Sequence, residues 1–280
     1  MAITNLSSFN SFTNGLHPQD QVMPVFFIGH GSPMNGIEDN EFSRRWSGIA
    51  SEVPTPAAVL VISAHWLTRG TRITAMDFPK TIHDFGGFPQ ALLDVQYNAP
   101  GHPALAKETA SAIQSAQVQL DHEWGLDHGA WTVVRHIYPD ADIPVLQLSI
   151  DYSKGAQYHY DLARELYGLR KKGVLIIGSG NMVHNLGMIA WDKINVPGYG
   201  YDWALQLNEK FKRLIANGDH QPLINYEGFG KEGGLAIPTP EHYLPLIYAI
   251  GLNANNGGAP SFFNDKAIGG SLTMTSVKFG

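Results

Sequence analysis

Three histidines of this chain stand in the same kind of place. His30 follows the apolar run Val25-Phe26-Phe27-Ile28 and sits in Gly29-His30-Gly31-Ser32-Pro33. His65 follows the run 57–63 (AAVLVIS), and His184 follows 174–177 (VLII) by way of Gly178-Ser179-Gly180-Asn181-Met182-Val183. Neutral imidazole is the commonest metal ligand among side chains. Any one of these residues also reads as a histidine satisfied within a tight turn. Three of them, each placed after an apolar run, point to a shared metal site. The chain has no cysteine, so a bound metal must sit on nitrogen and oxygen, and a disulfide framework is excluded.

Other histidines are weighed singly. His128, between Asp127 and Gly129, has a sharp-turn context. His136 lies among apolar neighbours on an expected helix and reads as packing. His122 is left open. His242 follows Glu241 in a stretch stiffened by Pro238 and Pro240, where a helix interior is forbidden. Adjacent residues on an extended backbone point to opposite sides, so only one of Glu241 and His242 is expected to reach a common centre.

The elements that must position these residues are short apolar runs alternating with helical spacing. Strands are expected at 25–28, 57–63, 72–76, 143–150, 174–177 and 271–279. Helices are expected at 38–49, 103–116, 131–138, 153–169 (with Ser153 as a possible cap), 203–216 and 244–252. Runs apolar on both faces are those of parallel strands with both faces covered. The pattern predicts a single α/β domain with a central, mostly parallel or mixed sheet and helices on both faces. In such sheets ligands gather beyond the carboxyl ends of the strands, which would bring His30, His65 and His184 to one edge. The stretches 82–89 and 97–103 mix aromatics with Gly and Pro. They read either as walls of a pocket, with Phe85, Phe88 and Tyr97 facing it, or as loops tacked down by their aromatics.

Composition narrows the classes. With 19 Lys and Arg against 25 Asp and Glu, the net charge is −6, and no basic run suggests nucleic acid as a partner. No stretch is long and apolar enough to span a membrane. Residues 1–22 are Ser-, Asn- and Thr-rich, lack the features of a signal peptide, and read as a flexible arm before a domain over 23–280; the expected location is the cytoplasm.

Taken in order, GHGSPMN from Gly29, SAHW from Ser63, IHDFGGFP from Ile82, YNAPGHP from Tyr97, GLDHGAW from Gly125, GSGNMVHNL from Gly178 and PTPEHYLPL from Pro238 resemble the LigB-like extradiol ring-cleavage dioxygenases, closest to the 4,5-DOPA dioxygenase branch. The resemblance spans nearly all of the chain after residue 23. It implies a mononuclear centre held by His30, His65 and His242, with His184 beside them as a fourth candidate and His128 lining the site. It implies non-haem Fe(II), with Zn possible in a purified sample, and a catechol such as DOPA and O2 as small-molecule substrates. Oxygenases that use two histidines and one carboxylate would favour Glu241 over His242, and that alternative stays open. Ring opening needs a base to take a catechol proton and an acid to return one, and His184 and His128 are the candidates. Two other readings compete: a metal-silent interaction scaffold of the same fold, which has no need of this histidine set, and a zinc hydrolase, which no sequence feature favours.

Overall fold

The central strands have no polar face to turn to water, and burying both faces dictates the fold. In the computed structural model of this chain, Leu16 and residues 21–254 and 258–280 are described. The arm expected over 1–22 falls outside the described residues except for Leu16 and residues 21 and 22. The strands are β1 (Val25–Gly29), β2 (Ala58–Thr68), β3 (Arg72–Thr74), β4 (Gln119–Asp121), β5 (Val145–Asp151), β6 (Val174–Gly180), β7 (Ser261–Phe263), β8 (Ala267–Ile268), β9 (Leu272–Thr273) and β10 (Ser276–Phe279). Eight form one mixed sheet in the order β4-β3-β5-β2-β6-β1-β10-β7, and β8 pairs with β9 apart from it. The four central strands, β5, β2, β6 and β1, are mutually parallel. β3 and β10 border them antiparallel.

Side chains alternate across the sheet and fill two separate cores. Val25 and Phe27 point into one, Phe26 and Ile28 into the other. The first core is closed by helices α2 (Pro103–Ala112), α4 (Ala156–Glu165), α5 (Asp202–Ala216) and α7 (Leu244–Asn253). The second is closed by α1 (Glu41–Ser47) and α3 (His128–Ile137), through Phe42, Trp46, Trp131 and Val134. α7 is apolar all round because it is buried all round. The short helix α6 (Gly230–Ala236) precedes the turn that carries His242.

Several boundaries differ from the sequence expectation, each for a local reason. α1 starts at Glu41 because Asn40 and Ser43 form a reciprocal capping box there. Ser153 caps no helix; its hydroxyl and amide both bond Asp151, and α4 starts after Gly155. The expected final strand is interrupted into β9 and β10. Two differences bear on the histidines. β2 does not stop at Ser63 but runs through His65 to Thr68, and against β5 its register jumps from Ile62↔Leu148 to Leu67↔Ile150. Residues 63–66 therefore bulge away from β5, a device common beside active sites, while Ser63 keeps its place beside Ser179 of β6. His128 does not sit in a sharp turn; it is the first residue of α3, whose N-terminus is capped by the Asp127 carboxylate.

Candidate metal centre

Beyond the carboxyl ends of β1 and β6, beside the bulge of β2, five imidazoles meet. The His30 ring centroid lies 5.0 Å from that of His65, 5.5 Å from His128 and 5.4 Å from His242. His65 and His128 are 3.8 Å apart, and His184 lies flat on His242 at 3.5 Å. His30 follows β1 directly, and Gly31 turns the chain away with φ +63°. His65 projects from the bulge of β2. His184 is held by its amide, which donates to the Ala236 carbonyl at 2.9 Å. His242 lies in a turn whose carbonyl accepts the Asn181 amide at 2.8 Å.

Packing leaves room for only one residue type at two joints. A Cβ on Gly129 would stand 2.4 Å from Ser63 Oγ and 3.0 Å from His65 Cδ2, so α3 could not approach the bulge. A Cβ on Gly180 would stand 2.1 Å from the His242 carbonyl oxygen.

Hydrogen bonds fix which nitrogen of each ring is bare. The Ser179 hydroxyl donates to the Gly129 carbonyl at 2.5 Å, so its oxygen must accept from His30 Nδ1–H, 3.0 Å away. His30 Nε2 is then a lone pair. His128 Nδ1 lies 2.9 Å from Asp84 Oδ2 and His65 Nδ1 lies 3.5 Å from the same oxygen. A carboxylate only accepts, so His128, which is within hydrogen-bond reach, carries its proton on Nδ1. His242 Nδ1 faces Glu241 Oε1 at 3.4 Å, and that oxygen also accepts the Thr239 hydroxyl at 2.6 Å. In each of these rings the second nitrogen is left to the centre, the arrangement that outer hydrogen bonds impose on metal-bound histidines.

His30 Nε2 and His65 Nε2 face each other at 3.1 Å. Two imidazole nitrogens at about 2.1 Å from a shared ion, at 90–110° to one another, stand roughly 3.0–3.4 Å apart. The donor set thus fits a divalent transition-metal ion. His30, His65 and His128 also each offer an atom within 4.8 Å of the others. Burial, with the neighbouring imidazoles adding to it, lowers the pKa of His30 and of His65. Burial likewise brings His184 down to about 3 and lowers His242 against the pull of Glu241. Such rings stay neutral, as ligation requires. Burial would raise the Asp84 carboxyl, but the bond from His128 holds it below the usual range.

The sequence expectation is met unevenly. His30, His65, His128, His184 and His242 do assemble. Phe85 packs edge-on to His128 at 5.5 Å, and Phe88 packs on Phe85 at 5.3 Å, so both border the cluster. Tyr97 does not face it: the ring is 2% exposed and its hydroxyl donates to the Tyr138 carbonyl at 2.8 Å. Its backbone instead pins Thr81 at the foot of the loop. Glu241 and His242 do not diverge, because residues 241–243 form a turn rather than an extended run, and Glu241 turns its carboxylate to the His242 ring. Hydrogen bonds to that carboxylate outweigh its burial and bring its pKa down to about 2. His136 is structural, its Nε2 bonding the Asn35 carbonyl at 2.7 Å, and His122 is exposed.

Three residues were not singled out from the sequence. Ser179 orients His30. Asp84 faces two rings. Asp127, fully buried, takes the Ser63 hydroxyl at 2.7 Å and the Gln147 amide at 2.7 Å, and so ties the β2 bulge to the start of α3. The run Asp-His-Gly-Ala before an apolar helix is a capping signal that could have revealed Asp127. Nothing in the sequence distinguishes Asp84 from a solvated loop carboxylate.

Comparison with known proteins gives a consistent result. Residues 24–259 match the family described as the catalytic LigB subunit of aromatic ring-opening dioxygenase. A protein of Escherichia coli K12 named 4,5-DOPA dioxygenase extradiol is 50% identical over 264 residues, 92% of this chain and 95% of that protein. One of the same name from Beta vulgaris is 36% identical over 268 residues, 93% of this chain and 98% of that protein. The crystal structure of an uncharacterized Escherichia coli K12 protein superimposes with a TM-score of 0.79 at 41% identity, covering 92% of this chain and all of the other.

Proposed function

From the premise that this chain belongs to the LigB family and is an extradiol ring-cleaving dioxygenase, we propose that His30, His65 and His242 hold its metal and that its substrate is a catechol of the DOPA type. The observation that carries the ligand assignment is the pair of ring nitrogens, His30 Nε2 and His65 Nε2, facing each other at 3.1 Å. Two lone pairs at that distance repel unless a cation or a proton lies between them. His242 is the third ligand in this reading because Glu241 is already spent on its Nδ1 and on Thr239. All three donors are imidazoles, a set that suits Fe(II) and also accepts Zn. When bound, ferrous iron gives the two catechol oxygens and O2 a common centre and removes the spin barrier to their reaction.

The remaining groups act on the substrate. His184 is the acid–base residue: it stacks on His242 and forms no side-chain hydrogen bond to another residue among the described residues, so its nitrogens are available to a catechol hydroxyl. His128, with Nδ1–H committed to Asp84, keeps Nε2 for the substrate. Its role is to hold the second hydroxyl. Phe85 and Phe88 supply the aromatic wall against which the ring lies and from which water is excluded. The product is a semialdehyde opened beside the two hydroxyls.

Anaerobic reconstitution with Fe(II), followed by a scan of catechols with oxygen, tests this reading. L-DOPA should yield a yellow ring-opened product at one iron per chain. Iron that binds without any catechol being opened, or a clear preference for catechols lacking the amino-acid tail, would overturn the substrate assignment.

A further inference from the structure

We propose that Asp84 is a positioning residue that fixes the protons of two imidazoles at once and ties both to the aromatic loop. The proposal rests on the metal-centre reading above and deepens it. Asp84 Oδ2 lies 2.9 Å from His128 Nδ1 and 3.5 Å from His65 Nδ1, and Oδ1 accepts the His128 backbone amide at 2.9 Å. The two rings are 3.8 Å apart, so a single oxygen serves both. The other carboxylates near the cluster are engaged elsewhere: Glu241 on His242 and Thr239, Asp127 on Ser63 and Gln147.

The loop holds Asp84 firmly from one side. The Ile82 amide donates to the Leu126 carbonyl at 2.7 Å, and Trp131 Nε1 donates to the Ile82 carbonyl at 2.9 Å. His83 Nε2 meets the Val95 carbonyl at 3.0 Å. On the other side come Phe85, edge-on to His128, and then Gly86 and Gly87, which have no neighbour where a Cβ would be. Consecutive residues thus set the ring orientation and the substrate wall, so displacement of the wall disturbs a ligand.

An amide at position 84 cannot reproduce this. One orientation sets its NH2 against the His128 backbone N–H, donor against donor, and the other turns the NH2 toward the His128 ring. That ring must turn a lone pair toward the amide and carry its proton on Nε2, the nitrogen needed at the centre. Loss of such an outer partner costs roughly 10–100-fold in metal affinity.

The test uses the full chain loaded with Zn(II), with histidine labelled with 15N. Chelator competition gives the zinc affinity, and long-range 15N–1H spectra give each ring's tautomer. In the unsubstituted protein His65 and His128 should both be protonated on Nδ1. Asp84→Asn should weaken zinc binding about 10–100-fold and move one proton to Nε2, and Asp84→Glu should restore part of the affinity. His65 or His128 found protonated on Nε2 in the unsubstituted protein would overturn the proposal, a result independent of how the variants fold. Zinc affinity and tautomers unchanged in Asp84→Asn, with only thermal stability reduced, would also overturn it. Failure of the unsubstituted chain to bind one zinc ion through these histidines would instead overturn the metal-centre reading itself.

Discussion

Gly180 spaces two of the three proposed ligands, and replacing it with Ala isolates that duty. Its carbonyl accepts the His30 amide at 3.1 Å, while its α-carbon faces the His242 carbonyl. Its φ lies outside the left-handed region, so alanine meets no backbone objection there, only a spatial one. The new methyl would stand 2.1 Å from the His242 oxygen and 3.2 Å from Pro245 Cγ, where ordinary contact begins near 3.4 Å. The turn bearing His242 must retreat by about 1 Å, several times the ~0.2 Å latitude of a metal–ligand bond. The bond from the Asn181 amide to the same oxygen weakens with it. Overpacking costs about 1–3 kcal/mol and the hydrogen bond about 1 kcal/mol, so the melting temperature should fall by roughly 5–10 °C. Metal content should drop more steeply than stability. Differential scanning fluorimetry and elemental analysis measure the two. The control is Gly234→Ala, inside α6 with no atom near its Cβ position, which should leave metal content intact and gain up to ~1 kcal/mol. Gly180→Ala with unchanged melting temperature and one ion per chain would refute the reasoning.

Three further outcomes are expected. His184→Ala should keep its iron and bind catechol but turn over about 10²–10⁴-fold more slowly, by elemental analysis and stopped-flow kinetics, as for loss of an acid–base group; loss of iron would make His184 a ligand instead. Phe88→Ala should raise KM about tenfold, for the ~1–1.5 kcal/mol of an aromatic edge contact, while the melting temperature falls by less than ~3 °C; a loss of folding without a kinetic effect would mark Phe88 as packing. His159 is buried beside Tyr248, and burial, against the pull of Asp151, lowers its pKa from 6.5 to about 4. Between those values the unfolded chain binds the extra proton, so stability falls as pH drops from 6.5 and levels off below about 4, a loss of roughly 3 kcal/mol. Urea titrations across that range should show a shallower slope for His159→Gln.

The histidine set was legible because strand runs are the strongest short signal in the chain, and because ligands at an open parallel sheet collect at one edge. The two-faced burial of 25–28 and 174–177 was legible for the same reason: neither run carries a polar residue. What escaped depended on contacts distant in sequence. β2 runs on through His65 because Ser63 is gripped by Asp127, 64 residues away, and no local pattern announces such a bulge. Tyr97 belongs to the core because the Tyr138 carbonyl takes its hydroxyl, although its Gly- and Pro-rich surroundings resemble those of Phe85. The direction of Glu241 was misjudged because two prolines suggest extension, whereas here they frame a turn.

The place of β1 in the sheet has a consequence for how the chain comes off the ribosome. Val25–Gly29 lies between β6 and β10, pairing Val25 with Ile176 on one edge and with Phe279 on the other. This apolar strand is made before its partners, and both its edges stay open until residues 174–180 and then 276–279 have been made. Open edges of this kind invite pairing with other chains. His30 hangs from the end of that strand, and His242 follows about 210 residues later. A site that uses both residues, as proposed above, cannot form before residue 242 has been made. The sheet and the proposed site both wait on pairings distant in sequence, which makes slow assembly intrinsic to this topology.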